Sequence, residues 1–426
     1  MTDIPFKAPG RGARFALALV LCLSAWLPAC SSSGNGERRV RFWHAFNAEE
    51  TEALNRSLKD WREPARVEPV RETFARGLVM LRQILAEGKN CPDLARIDAT
   101  WLPGLAADKL LSPTPSGLIE QRRWLKDALE LASYDSKVYG LPQSIDGLAL
   151  LHPRAGPGDK EGDKAGDRSA APAKSLDELV DRAKALSSGG KPSLGLQVDG
   201  YWFVPFLRQW GMGLIDVSSG RIGVDCPESA VALERFAGLF GTVAPPLSPS
   251  GKDAEGVTRR FRSGELSMVI SGPWAVADLS GGDTTELAVS PLPGAPLGGQ
   301  VLVVPHCASE PGAAWKLAEY LTSPAVQGDW SRRLGIIATT EEGLAGAGEF
   351  VNQFRRALAT ARPLPRHPVT PELFDDLGPA VRAVVARDAT AVEALPGVGD
   401  AWARLLEGHG VKPVRCAKGD AAEGDR

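Results

Sequence analysis

The chain has 426 residues, 43% of them hydrophobic and 24% charged, which is ordinary for a soluble globular protein and long enough for two to three domains. A formal charge of −3 argues against nucleic acid, whose binders carry a basic excess. At the start, Lys7, Arg11 and Arg14 precede the apolar run Phe15 to Leu27, 13 residues long. That run is short of the ~20 a spanning helix needs, and its layout is that of a secretory signal over residues 1–29.

Leu27-Pro28-Ala29-Cys30 follows, and it resembles a lipobox, in which cleavage leaves a lipidated cysteine at the N-terminus. Ala29 suits the cleavage subsite and Leu27 the branched apolar position, whereas Pro28 departs from the usual small residue. Cys30 is therefore the expected lipid attachment point, and residues 30–37, rich in serine and glycine, a flexible tether. Removing residues 1–29 takes away Lys7, Arg11, Arg14 and Asp3 and leaves a net charge of −5. Four further cysteines remain, Cys91, Cys226, Cys307 and Cys416. Export permits their oxidation, and their spacing matches no zinc motif.

From Val40 onward strands alternate with helices. Val40 to His44 reads as a strand, and Asn47 as the cap of a helix carrying Leu54, Leu58 and Trp61. Arg66 to Val70 is a second strand, Phe74, Leu78, Leu81 and Leu85 mark a helix, and Leu94 to Ile97 is a third strand ending at Asp98. This alternation implies a largely parallel sheet with crossover helices. Tyr134 to Pro142 reads as a turn and strand, followed by a strand over Ile145 to Leu151. His152 to Lys174 is rich in Gly, Pro, Asp and Lys and reads as a solvated insert. Ser175 and Glu178 form a capping box for the next helix. Later helices are expected at Tyr201–Met212, Pro227–Phe240, Ala313–Leu321, Pro371–Ala386 and Thr390–Leu406, and strands at Ser267–Ile270 and Val301–Val304. No internal repeat is visible.

Several short segments, in this order, carry a resemblance. They are Val40-Arg41-Phe42-Trp43-His44, Cys91-Pro92-Asp93-Leu94 with Asp98 and Trp101, and Lys137 to Ser144. They continue with Phe261 to Met268, Ser271-Gly272-Pro273-Trp274-Ala275 and Ala314 to Leu321. Together they resemble the maltose-type extracellular solute-binding proteins of ABC importers over nearly the whole mature chain. Ala338 departs from the family, which often has proline after Gly335-Ile336-Ile337. The resemblance implies a type II periplasmic-binding-protein fold, α/β in class, in which hinge strands join two lobes around a ligand cleft. The first lobe is expected at 38–145 plus 296–345, the second at 146–295 plus 346–415, and a tail at 416–426.

Open α/β sheets bind ligands beyond the carboxyl ends of their strands, which places Trp43, His44 and Asp98 at the crevice. A sugar offers apolar C–H faces to aromatic rings and hydroxyl edges to carboxylates and amides, and the chain has 11 tryptophans. Trp274 follows Gly272-Pro273 at a strand end, and its counterpart in the family stacks on a sugar ring; lobe packing is the competing role. Asp98 and Asp146 are polar candidates, with turn or capping roles equally open. Gln143 lies on what the family makes a crossover, so a hinge role competes there. Tyr201 and Trp202 follow Gly200 at a strand-to-helix turn and face either the cleft or the helix core. His44 is either a ligand contact or a satisfied polar residue. The family's arrangement also implies a disulfide between Cys91, just before the third strand, and Cys307, just after an antiparallel neighbour, with two buried thiols as the alternative. Cys226 and Cys416 are left in the second lobe.

Partners implied are a carbohydrate, ABC permease subunits and, through Cys30, a membrane; no cofactor, metal or nucleic acid is expected, and the protein is expected to be a monomer. Two other classes compete. An anchored sensor or adhesin would use the same clamp without transport. A glycoside hydrolase would need two carboxyls flanking one bond, and Asp98 with Asp146 is the pair available. The chain has no His-x-x-x-His pair and no Gly-x-Ser-x-Gly elbow. Leu395-Pro396-Gly397-Val398-Gly399 mimics a DNA-binding hairpin, but it is single and its flanks match the family's C-terminal helices.

Overall fold

The computed structural model describes residues 38–154, 173–187, 191–247 and 253–416. The signal, Cys30, the tether and most of the expected insert lie outside these residues. Fourteen strands are present among the described residues: β1 Arg39–His44, β2 Arg66–Arg71, β3 Leu94–Asp98, β4 Ser133–Tyr134, β5 Lys137–Val138, β6 Leu141–Gly147, β7 Ala149–Pro153, β8 Leu194–Gly195, β9 Ile215–Asp216, β10 Arg221–Ile222, β11 Met268–Ser271, β12 Leu287–Ser290, β13 Pro296–Val303 and β14 Arg362–Pro363.

Two sheets organise the chain. In the first, β2, β1 and β3 are parallel neighbours, and β13 runs antiparallel beside β3. β6 lies on the other side of β13, also antiparallel, and β14 pairs with the first two residues of β13. The second sheet has the order β12-β7-β11-β8. The chain crosses between sheets from β6 into β7, through Leu148, and from β12 back into β13. β6 and β13 are thus paired crossing strands.

The central strands of each sheet are buried on both faces, as βαβ crossovers require, while the edge strands β2 and β14 are partly or fully exposed. On the first, Val40, Phe42, Leu94 and Leu302 pack under helices Ala48–Lys59, Pro311–Leu321 and Pro324–Leu334. The opposite side chains, Trp43, Ala95, Ile97, Val301 and Val303, pack under helix Phe74–Glu87 and the short helix Leu102–Ala107. On the second sheet, Leu148, Leu150, Met268 and Ile270 lie under helices Gly200–Gln209, Pro227–Ala237, Thr370–Ala386 and Ala391–Gly408. Ala149, Leu151 and Val269 face Phe261, Phe350 and Phe354.

Local signals act mostly as their chemistry dictates. Asn47 and Glu50 cap each other's backbone, Asn47 Oδ1 accepting from Glu50 N at 2.8 Å and Glu50 Oε2 from Asn47 N at 2.9 Å. The helix ends at Lys59, so Trp61 lies beyond it, where its Nε1 donates to Ala65 O. The box at Ser175 is only half formed: Ser175 Oγ accepts from Glu178 N, but the Glu178 carboxylate accepts from Lys174 N instead. His152, expected to open the solvated insert, is instead a buried residue of β7 whose Nε2 lies 3.1 Å from Ser290 Oγ on β12. Segment 395–399 lies inside helix Ala391–Gly408, with Leu395 and Val398 buried and Glu393 accepting from Thr390 N at its start. Cys91 and Cys307 are disulfide-bonded with their Cα atoms 6.0 Å apart, and Cys226 is bonded to Cys416 with 5.2 Å between Cα atoms.

Candidate functional site

The candidate residues fall into three groups around the crossing strands. The first is at the carboxyl end of β1. Trp43 is 7% exposed and packs with Ala95, Ile97 and Trp101. The His44 ring sits between those of Phe42 and Phe46, at 5.4 and 4.8 Å, and its Nδ1 accepts from Phe46 N at 3.3 Å. Burial, then the charges of Arg96 and Arg71, lower the His44 pKa to about 4. The imidazole is therefore neutral at neutral pH, held as a packing residue with one acceptor in use.

The second group is polar and spans β3, β13 and β6. Arg96 and Asp98 share a face of β3 because strand side chains alternate. Arg96 lies over the Phe46 ring at 4.4 Å, pairs with Glu50 at 3.6 Å and donates from Nε to Gln143 Oε1 at 3.0 Å. Gln143 also offers its backbone carbonyl to Gln327 Nε2 at 3.1 Å, so it is tied into a buried network through the crossing strand. Asp98 Oδ1 accepts from Thr100 N at 2.8 Å, and Oδ2 from Gln300 Nε2 at 3.3 Å. Asp146 faces Gly298 across the β6–β13 ladder. A Cβ at 298 would stand 2.7 Å from Asp146 Oδ1 and 3.8 Å from Tyr201 Oη, so glycine there leaves room for both.

The electrostatics of this group follow from depth. Burial raises the pKa of Asp98. Burial and the neighbouring Asp98 raise that of Asp146 to about 7, despite Arg96. Burial, then Asp146 and Asp98, lift the Tyr201 phenol well above its usual value, so it stays a donor. Arg96, the guanidinium nearest the pair, is shared with Glu50.

The third group is aromatic. Asp199 caps helix Gly200–Gln209, its Oδ1 accepting from Tyr201 N at 2.7 Å, which fixes Tyr201 and Trp202 in the first turn. Trp202 is buried and its Nε1 donates to Ile270 O at 2.8 Å, which locks the indole onto β11. Trp274 lies in the turn Pro273–Ala275 after β11 and is half-buried. Its ring meets Trp202 edge-on at 6.2 Å and lies 6.3 Å from Tyr201. Gly272 is required beneath it, since a Cβ there would come within 2.1 Å of the indole. Tyr201, Trp202 and Trp274 are brought together; Trp43 and His44 are on the other sheet, away from this aromatic set. Glu50, Arg96 and Gln300 were not singled out from the sequence. The signal for Arg96 was its place two residues before Asp98 in the same strand.

A pH effect follows from His44 and Asp146. Folding favours neutral Asp146, so its contribution to stability is present near pH 4 and is lost as pH rises through about 7. Folding favours neutral His44, so its contribution is present above about 6.5 and is lost as pH falls toward 4. The two oppose each other over that window. Asp146→Asn should therefore lose stability more steeply than wild type between pH 6.5 and 4 in urea titrations. Parallel profiles would mean that Asp146 is ionised like an ordinary carboxylate.

The model for the family described as bacterial extracellular solute-binding protein matches residues 81–351, more than half of the chain. The chain belongs to that family. This solute-binding protein is also 26% identical over 286 residues to a probable ABC transporter-binding protein of Deinococcus radiodurans, a match covering 61% of this chain and 65% of that relative's length. Among solved structures, the GacH receptor of Streptomyces glaucescens, recorded unliganded and with acarbose, superposes with a TM-score of 0.76 at 23% identity, covering 87% of this chain and 99% of that one. The maltotriose-binding protein of Thermus thermophilus, recorded with maltotriose, gives 0.72 at 18% identity, with 86% and 100% covered. A solute-binding protein of Thermotoga lettingae, bound with α-D-tagatose, gives 0.73 at 23% identity, with 87% and 100% covered. These likenesses establish the two-lobed periplasmic-binding-protein fold.

Proposed function

We propose that this chain is the substrate-binding lipoprotein of an ABC importer, which captures a carbohydrate between its lobes and delivers it to membrane permease subunits. The observation that carries the reading is the apposition of an aromatic set, Tyr201, Trp202 and Trp274, with hydroxyl-gripping groups, Asp98, Asp146 and Gln300, at the paired crossing strands. The lobes are taken as 38–145 plus 296–345 and 146–295 plus 346–415, so that β6 to β7 and β12 to β13 are the hinge crossings. Trp274 supplies a stacking face, Tyr201 a donor, and the Asp98–Asp146 pair, with a proton available to it near neutrality, both accepts and donates. The sugars named with the Streptomyces, Thermus and Thermotoga structures support a carbohydrate as the solute, and the Deinococcus relative's name supports an importer.

A thermal-shift screen with maltose, maltotriose and D-tagatose tests the solute. A bound sugar at 100 times its Kd adds about 2.7 kcal/mol to stability, a shift well above noise. The sugar should be recovered uncut. No shift with any sugar at millimolar concentration would end the carbohydrate reading.

The anchor is tested separately. Cys30→Ser should give protein that no longer partitions with membranes and whose N-terminal peptide carries no lipid mass. Equal partitioning of variant and wild type would put the anchor elsewhere.

A further inference from the structure

Helix Gly200–Gln209 carries Tyr201 in its first turn and Arg208 seven residues on, which puts both on one face. The Arg208 guanidinium meets four backbone carbonyls. Nη1 donates to Ala295 O at 2.9 Å, to Arg362 O at 2.9 Å and to Gly294 O at 3.3 Å, and Nη2 donates to Pro363 O at 3.0 Å. Gly294 and Ala295 end the crossing from β12 into β13, and Arg362 and Pro363 are β14, which pairs with the start of β13. Ala295 O also accepts from Arg362 N at 3.0 Å, so three chain segments meet at one side chain. Gly294 is left-handed, with φ 75°, and a Cβ there would stand 2.8 Å from Pro205 O, so the crossing lies directly against the helix. Burial lowers the Arg208 pKa to about 10, and the group stays cationic at neutral pH. At the other end of the same face, Tyr201 Oη is 3.8 Å from where a Cβ would stand on Gly298, three residues after Ala295. Seven helical residues rise about 10 Å, and three strand residues rise about 10 Å as well. Helix and strand therefore run side by side, tied by Arg208 at one end, with Tyr201 beside Gly298 and Asp146 at the other.

We infer that Arg208 is a positioning residue of the sugar site: its grip on the β12–β13 crossing and on β14 holds the helix in register with β13, and so sets the Tyr201 hydroxyl beside Asp146. The inference rests on the carbohydrate reading above. Arg208 does not touch the solute; it acts through Tyr201. The task suits a guanidinium, whose donors lie in one plane at fixed angles, whereas a lysine ammonium is a point charge on a flexible stem. Lysine keeps the charge but reaches fewer of the four carbonyls. An apolar side chain reaches none, and the helix is then free to slip along the strand, carrying the Tyr201 hydroxyl with it.

The experiment is a double-mutant cycle read by calorimetric titration of maltose, maltotriose and D-tagatose. It compares wild type, Arg208→Met, Tyr201→Phe and the double variant, with urea unfolding of each ligand-free protein. Wild type should bind at least one sugar, and Tyr201→Phe should bind it about tenfold more weakly, the worth of one well-made hydrogen bond. Arg208→Met should lose about the same factor, because the hydroxyl it positions is displaced. The double variant should lose about tenfold, not the roughly hundredfold of independent sites, since no hydroxyl is left to position. Arg208→Lys should recover part of the affinity. A merely structural arginine would lower the urea midpoint and leave the affinity of the folded protein unchanged, or its loss would multiply with that of Tyr201→Phe. Either result, or a Tyr201→Phe variant that binds like wild type, would overturn the inference while the carbohydrate reading stands. If Arg208→Met fails to fold, the same cycle with Arg208→Lys decides, its smaller loss vanishing in the Tyr201→Phe background. Failure of all three sugars to bind wild type would remove the carbohydrate reading and the inference with it.

Discussion

Trp274→Ala is expected to weaken carbohydrate binding by about 30-fold or more, an anchor loss of ~2 kcal/mol, while the protein stays folded. The stacking face is the reason. The indole is held at one edge by Trp202 at 6.2 Å and is closely approached by Gly272, and it remains partly exposed. Trp202 is itself pinned to β11 through Ile270 O, so truncating Trp274 leaves its support in place. The loss in stability should be modest, about 0.5–1.5 kcal/mol for the aromatic pair beyond area burial. Titration calorimetry with a sugar from the screen, beside urea unfolding of the same variant, separates the two effects. A large stability loss with unchanged affinity would make Trp274 a packing residue, and the aromatic set would then have no face for a ligand.

Much of this architecture was legible in the residues because period and punctuation coincide. The run Val40 to His44 sits where a buried parallel strand belongs, and Asn47 announces the helix that follows. Strands β12 and β14 carried too little signal: Leu287–Ser290 is four residues between polar turns, and Arg362–Pro363 is two. Helix Pro324–Leu334 holds Gln327, Gly328, Asp329 and two arginines, a composition that periodicity alone does not single out. His152 is hidden in the sequence because the polar stretch begins only after Pro153, two residues further on; its ring is satisfied by Ser290 across a ladder invisible to local sequence.

The site divides along the same line. Asp98 and Asp146 were visible as strand-end carboxylates, but their mutual influence depends on β13 lying between β3 and β6, a long-range pairing. Glu50, not singled out from the sequence, accepts from the cap residue's backbone and also pairs with Arg96. One carboxylate thereby joins the start of a helix to the polar group at the crossing strands. No window of sequence contains both partners.

Removing the Cys91–Cys307 disulfide should lower stability by about 2–5 kcal/mol without abolishing the fold. β3 and β13 are antiparallel with Ala95 opposite Val303, so residue 91, four before, and residue 307, four after, are carried to the same end of the ladder. The bond closes a sequence separation of 216 residues, and in the chain-entropy account a loop of that size gives an effect near the top of the range. The native contact does not depend on the bond alone. Asp93 Oδ1 accepts from Ser309 N at 2.8 Å and Glu310 N at 2.9 Å, while Oδ2 accepts from Arg41 N at 2.9 Å. That carboxylate clamp holds the start of β3 against the turn after β13 when the sulfurs are reduced, so the cost falls mainly on the unfolded chain, which regains its freedom. The double variant Cys91→Ser/Cys307→Ser isolates this bond from Cys226–Cys416, and urea titration of it beside wild type under oxidising conditions reads the difference. Adding reductant should lower wild-type stability at least as far as the double variant does. A double variant as stable as wild type, or peptide mapping that finds both thiols free in the exported protein, would mean that the Asp93 clamp and strand pairing hold this edge unaided.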